Sequence, residues 1–185
     1  MTTVAVFGSS AAAPSTPVYR DAEKLGRLLA ERGFVVANGG YEGVMEAVSK
    51  GAAEAGGTVV AVTAPAVFPD RPGANGWVGT QHTAETISER IHRLVDMADA
   101  MVTMPGSIGT VTEFMVAWND GFVNLKKDLP PKPLVAVGSQ WPPLVKLLTE
   151  RFGADRSPLM FAPDVEVAVE ALVSALGDAE EFEAS

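Results

Sequence analysis

The sequence predicts an α/β protein: a Rossmann-like, doubly wound parallel sheet in a three-layer αβα sandwich. Three observations point there. Short apolar runs alternate with longer segments of helical periodicity, which implies βαβ units and a parallel sheet. The runs read as continuously apolar rather than alternating, as strands covered by helices on both faces do. The 185 residues, 47% hydrophobic and 20% charged, suit one domain with a sizeable core.

The first strand is expected at Val4–Phe7. A helix follows at Pro17–Arg32. The second strand, Phe34–Ala37, leads into Asn38-Gly39-Gly40-Tyr41-Glu42-Gly43, a turn that opens a helix over Gly43–Ala55. The third strand is Thr58–Val62. Ala64–Thr80 is rich in Pro and Gly and is expected to be a long loop, a length often found in lids and binding loops. A helix over Thr83–Ala98 carries an apolar stripe of Ile87, Ile91, Leu94, Val95 and Ala98. The fourth strand, Ala100–Thr103, runs into a glycine turn and a helix at Val111–Asn119. A loop at Asn124–Pro133, a strand at Leu134–Val137, a helix at Pro142–Arg151, a weaker strand at Leu159–Ala162 and a helix at Val165–Leu176 complete residues 1–178. The acidic segment 179–185 is expected to be a disordered tail.

The net charge of −9 argues against nucleic acid or an anionic membrane as partner, since both select basic surfaces. No cysteine is present, so disulfides and thiolate chemistry are excluded. With only two histidines besides, no metal site and no cofactor are expected. An apolar strand begins at Val4 without a basic leader or a long apolar span, so a cytoplasmic protein is expected.

In an open parallel sheet, ligands bind beyond the carboxyl ends of the strands. Three small-residue turns fall there: Gly8-Ser9-Ser10, Asn38–Gly43 and Pro105-Gly106-Ser107-Ile108-Gly109-Thr110. The first does not match G-x-G-x-x-G, and no G-x-x-x-x-G-K-[ST] occurs, which removes support for dinucleotide and NTPase readings. The third is the most informative. A strand, a glycine turn and a helix start place free N–H groups and the positive end of a helix dipole around one point, which suits phosphate. Glu113 is out of place beside a phosphate, and fits better one sugar away, facing a ribose. A competing reading exists: Thr110-Val111-Thr112-Glu113 also fits a capping box.

Arg90 lies at the margin of the apolar stripe. Arg93 has Glu89 four positions before it and is accounted for as an exposed ion pair. Arg90 has Thr86 there, and is the freer cation, able to snorkel over the core or to reach a cleft. His92 points to the opposite, solvated face. The three tryptophans read as packing residues, with Trp118 the candidate exception.

Arg90, fifteen positions before Pro105-Gly106-Ser107-Ile108-Gly109-Thr110-Val111-Thr112-Glu113, resembles the Arg and P-G-G-x-G-T-x-x-E pair of the LOG family, a group often mislabelled as lysine decarboxylases. The resemblance extends from Gly8-Ser9-Ser10 through Gly39-Gly40-Tyr41-Glu42-Gly43-Val44-Met45 to Trp118. It implies a Rossmann-like homodimer that hydrolyses the N-glycosidic bond of cytokinin or purine nucleoside 5′-monophosphates to free base and ribose 5-phosphate. Arg90 and Glu113 match the family's essential pair. Ser107, Ile108, Gly109, Thr110, Val111 and Thr112 match its phosphoribose turn, with Asn119 a further contact if no gap intervenes. Gly8, Ser9, Ser10, Gly39, Gly40, Met45 and Gly106 complete the expected binding set. Ser107 replaces the family's second Gly, and Ile91 replaces the Lys that usually follows the Arg. Two other readings use the same turn: a non-catalytic nucleotide or molybdenum-cofactor carrier, which has no need of Glu113, and a dimeric scaffold with a relict site.

Overall fold

A computed structural model describes residues 1–71 and 73–183. Pro72 of the long loop and residues 184–185 of the acidic end lie outside them. Seven strands form one all-parallel sheet: β1 (Thr3–Phe7), β2 (Val35–Asn38), β3 (Val59–Thr63), β4 (Thr80–Thr83), β5 (Ala100–Thr103), β6 (Leu134–Val137) and β7 (Leu159–Ala162). Among the described residues six helices accompany the strands: α1 (Pro17–Glu31), α2 (Val44–Glu54), α3 (Ile87–Met97), α4 (Ile108–Lys126), α5 (Trp141–Phe152) and, after the last strand, α6 (Val165–Glu183). The strand order is β4-β3-β2-β1-β5-β6-β7. The chain therefore winds outward from β1, then returns beside it at β5 and winds the other way, as expected of a doubly wound fold.

Strand alternation builds the two cores. Val4 and Val6 of β1 face one side, with Leu25 and Leu29 of α1, Val48 of α2 and Leu172 of α6. Ala5 and Phe7 face the other, with Leu94 of α3, Phe114 of α4 and Trp141 of α5. Helix starts follow local chemistry. Thr16 caps α1, its hydroxyl accepting from Tyr19 N at 3.3 Å ahead of Pro17. No helix among the described residues is long and apolar enough to cross a membrane.

Three expectations need correction. Between the expected loop Ala64–Thr80 and the expected helix Thr83–Ala98 the chain forms an extra edge strand, β4, which takes the end residue of each and all four of whose residues are exposed. Thr80-Gln81-His82-Thr83 carries no apolar residue, so periodicity gives no sign of it. An exposed edge needs none, because one side of the strand is unpaired and polar residues discourage further pairing. Helix α3 then starts at Ile87, where Thr86 accepts from Glu89 N at 3.1 Å and Glu89 accepts from Glu85 N at 2.8 Å. Helix α4 is far longer than Val111–Asn119, and takes in the beginning of the expected 124–133 loop. Helix α6 continues past Leu176 to Glu183, into the segment expected as a tail.

Candidate functional site

The carboxyl ends of β1 and β5 lie side by side at the point where the winding reverses, and the turns that follow them diverge to opposite faces. The three small-residue turns are tied together there. Ser9 N donates to Pro105 O at 3.2 Å, and Val44 N donates to Ser9 O at 2.9 Å. Gly43 makes the second link possible. Its φ is 72°, and a Cβ there would sit 2.3 Å from Ser9 O. Asn38, fully buried, fixes the middle turn. Its side-chain oxygen accepts from Gly40 N at 2.7 Å, and its amide donates to Ser49 Oγ at 2.9 Å.

These turns enclose a cavity of about 250 Å³. Of the residues expected to bind, Gly8, Ser10, Gly39, Met45, Ser107, Gly109, Thr110 and Thr112 line it, together with Arg90 and Glu113. Ser9, Gly40 and Gly106 act from behind: Ser9 ties the turns, and Gly40 O accepts from Asn75 N at 2.7 Å, anchoring the long loop. Ser9 and Gly106 line a neighbouring surface groove instead. Ile108 is exposed outside the cavity and Val111 does not reach it. Asn119 is misplaced by the expectation. Six residues after Glu113, it is turned about 120° around α4, and lies in an apolar groove with Met115, Phe122 and Phe152. Trp118 is no platform either: it is buried, and its indole N–H donates to Asp155 O at 2.7 Å.

Helix α4 turns its N-terminus towards the cavity. Ser107 is its N-cap, and the first intrahelical bond runs from Val111 N to Ser107 O at 3.0 Å. The N–H groups of Ile108, Gly109 and Thr110 are therefore those a helix start leaves without intrahelical acceptors. Ser107 has φ −99° and ψ −162°, extended geometry open to any residue, so its Cβ is accommodated without strain. Its hydroxyl makes no capping bond. The capping-box reading of Thr110 and Glu113 fails, because α4 begins three residues earlier and Thr110 is already its third residue.

Arg90 is almost fully buried. Its Nε donates to Val62 O at 2.8 Å and its Nη2 to Gly39 O at 3.0 Å, with Met45 Sδ at 3.5 Å. Two strand-end carbonyls thus seat the guanidinium, and its Nη1 lies 3.9 Å from Glu113 Oε1. Burial pushes the Glu113 carboxyl up to about 7, against the opposing pull of Arg90. Burial also lowers the Arg90 pKa, which the Glu113 charge counteracts. A carboxyl poised to titrate near neutrality against a fixed cation is the kind of group that does proton chemistry.

Sequence reasoning missed Tyr41, Phe68, Arg71 and Ile87, which also line the cavity. Tyr41 and Phe68 meet edge-on at 5.5 Å, and the Tyr41 hydroxyl accepts from Ala64 N at 2.8 Å. The long loop's length was the available signal for Phe68 and Arg71, although it did not single out these two side chains. Ile91 lines the cavity as an apolar residue where the resemblance expects a cation.

The seat of Arg90 yields a prediction. A Cβ at Gly39 would lie 1.5 Å from Arg90 Nη2 and 2.6 Å from Cζ. Gly39→Ala is expected to expel the guanidinium and cost about 1–3 kcal/mol of stability in denaturant unfolding, since it strands buried polar groups. An unchanged unfolding midpoint would contradict this seat.

Comparison with known proteins gives a consistent family. Residues 1–123 match the model of the SLOG cluster4 family. The chain is 33% identical over 137 residues to a Mycobacterium tuberculosis protein named cytokinin riboside 5′-monophosphate phosphoribohydrolase, covering 73% of this chain and 70% of that one. It is 35% identical over 125 residues to a protein of the same name from Mycobacterium marinum, covering 66% and 65%. The chain thus spans about two thirds of the length of the curated relatives it matches. Among solved structures, the molybdenum cofactor carrier protein of Chlamydomonas reinhardtii superposes with a TM-score of 0.73 at 27% identity, covering 96% of this chain and 99% of that one.

Proposed function

The chain belongs to the SLOG cluster4 family, a LOG-like group, and from that membership we propose that it is an N-glycosidase releasing the base from a purine nucleoside 5′-monophosphate. The observation that carries this reading is the 3.9 Å approach of Arg90 and Glu113 in one cavity with the start of α4. Relatives named phosphoribohydrolases support it.

In this reading the N–H groups of Ile108, Gly109 and Thr110, with the Ser107 hydroxyl, hold the 5′-phosphate. The ribose then lies against Glu113. Breaking the bond between C1′ and the base nitrogen leaves the electron pair on the base and positive charge on the sugar. A buried carboxylate aimed at that charge stabilises the transition state more than the ground state. Water supplies the hydroxyl that bonds to C1′, and its proton passes through Glu113 to the departing base. Arg90 keeps enough of Glu113 ionised at neutral pH for this role.

The test is incubation of the protein with a panel of nucleoside monophosphates, with free base and ribose 5-phosphate measured. The structural likeness to a molybdenum cofactor carrier motivates one alternative, a carrier that uses the same cradle without chemistry. Tight nucleotide or cofactor binding with no base released would favour it.

The reading also fixes a pH dependence. The carboxylate is the working form, and the Glu113 carboxyl titrates at about 7. kcat/KM is therefore expected to rise roughly tenfold per pH unit below that point and to level off above it. A profile flat from about pH 5 to about pH 8 would remove Glu113 from the reaction.

A further inference from the structure

We propose that Arg71 reads the base, and that the ligand is a 6-oxopurine nucleotide (guanine or hypoxanthine) rather than an adenine nucleotide or one carrying an apolar N6 substituent. This inference rests on the nucleotide reading above. The cavity crosses the carboxyl ends of β5, β1, β2 and β3 in that order. Neighbouring parallel strands stand about 4.8 Å apart, so its two ends are roughly 14 Å apart. The α4 cradle follows β5 at one end. Phe68 and Arg71 come from the loop after β3 at the other, and Arg90, held by Gly39 O and Val62 O, sits between. A mononucleotide with its phosphate on α4 and its ribose at Glu113 directs its base towards Arg71.

Arg71 is held in place. Its Cζ lies 5.3 Å from the Tyr41 ring centroid and 5.5 Å from that of Phe68. Its Nε lies 3.3 Å from Glu42 Oε2, and its backbone N–H closes a turn onto Phe68 O at 2.9 Å. The loop is pinned in turn by Asn75, whose amide donates to Gly40 O at 3.1 Å and Tyr41 O at 3.0 Å. Among the described residues no hydrogen bond engages the terminal Nη groups of Arg71. Its charge bears on Arg90, working against a second cation nearby. Arg71 therefore returns, from another element, the cavity cation that Ile91 lacks.

A guanidinium is donor-only and planar. It pairs both acceptors of a 6-oxopurine edge, O6 and N7, whereas the adenine edge offers one acceptor and one donor. An apolar N6 substituent leaves only N7 for the fork and sets an apolar group where its other N–H needs an acceptor.

The experiment compares GMP, IMP and AMP as substrates and, by calorimetry, as ligands, using wild type, Arg71→Ala and Arg71→Lys, with thermal unfolding run alongside. Wild type is expected to favour GMP and IMP over AMP by about tenfold to about a hundredfold in kcat/KM. Arg71→Ala brings the ratio near unity by lowering GMP and IMP turnover the most, and Arg71→Lys keeps the charge but loses most of the ratio. Equal cleavage of GMP and AMP by wild type, or a preference that survives in Arg71→Ala, overturns the assignment and leaves the hydrolase reading standing. If no nucleotide releases its base, the hydrolase reading falls, and the affinities decide: tighter GMP than AMP lost in Arg71→Ala supports base reading by Arg71, and equal affinities overturn it.

Discussion

Glu113→Gln is expected to lower kcat for base release by about 10²–10⁴-fold, the range of a positioned acid–base group, with nucleotide affinity little changed. Gln preserves volume and shape but carries no charge to set against the developing cation and cannot take a proton from water. The same variant has an independent stability signature. In the folded chain the Glu113 carboxyl titrates at about 7, above its ordinary 4.5, because burial disfavours its charge. The folded state therefore binds this proton more tightly than the unfolded state. Stability from this source is full below the ordinary value and falls as pH rises between 4.5 and about 7. The displacement corresponds to about 3 kcal/mol. Glu113→Gln is expected to lose that slope, and so to be more stable than wild type above neutrality while nearly inactive. Denaturant unfolding at several pH values, with base release measured in parallel, checks both. Wild-type turnover in Glu113→Gln would sink the mechanism. A persistent slope would place the titrating group elsewhere.

A variant that is more stable and less active is what a site held against its own folding preference gives. The glycine turns and the start of α4 rest on local chemistry, a strand, small residues and a helix start repeated along one sheet edge, whereas the pairing of Arg90 with Glu113 was implied by the family resemblance. Arg90 stood out because it lacked the i−4 acid that Arg93 has, and Arg93 indeed pairs with Glu89 at 2.7 Å. Tyr41, Phe68 and Arg71 were not legible, because their meeting depends on how the long loop folds back on the turn after β2. No local pattern encodes the bond from Asn75 N to Gly40 O. Strand β4 was hidden for a related reason. Its place is set by pairing with β3, with Ala61 opposite Gln81 and Val62 opposite His82, rather than by an apolar face. The start of α4 was misread by three residues because Thr110 and Ser107 are both plausible caps, and only the geometry of the turn selects Ser107.

Arg90→Ala is expected to lower kcat/KM at neutral pH by about 10²-fold, and, unlike Glu113→Gln, to do so partly through its partner's titration. The Arg90 charge lowers the pKa of Glu113, while burial raises it to the net value of about 7. Removing the guanidinium leaves burial unopposed, so the Glu113 pKa moves up and the carboxylate fraction at neutral pH falls. The rising limb of the pH profile therefore shifts to the alkaline side, and part of the lost activity returns at higher pH. Stability moves in a distinguishable way. The carbonyls of Val62 and Gly39 lose their donors, which costs about 1–3 kcal/mol each when such groups stay buried and unpaired. Glu113 escapes most of its own penalty by binding a proton. Arg90→Lys restores a charge without the fork that spans both carbonyls, so it is expected to return the pH limb towards wild type while recovering little of the stability. A limb that stays at its wild-type position in Arg90→Ala would mean that the two groups do not act on each other across their 3.9 Å separation, and that Arg90 serves the fold alone.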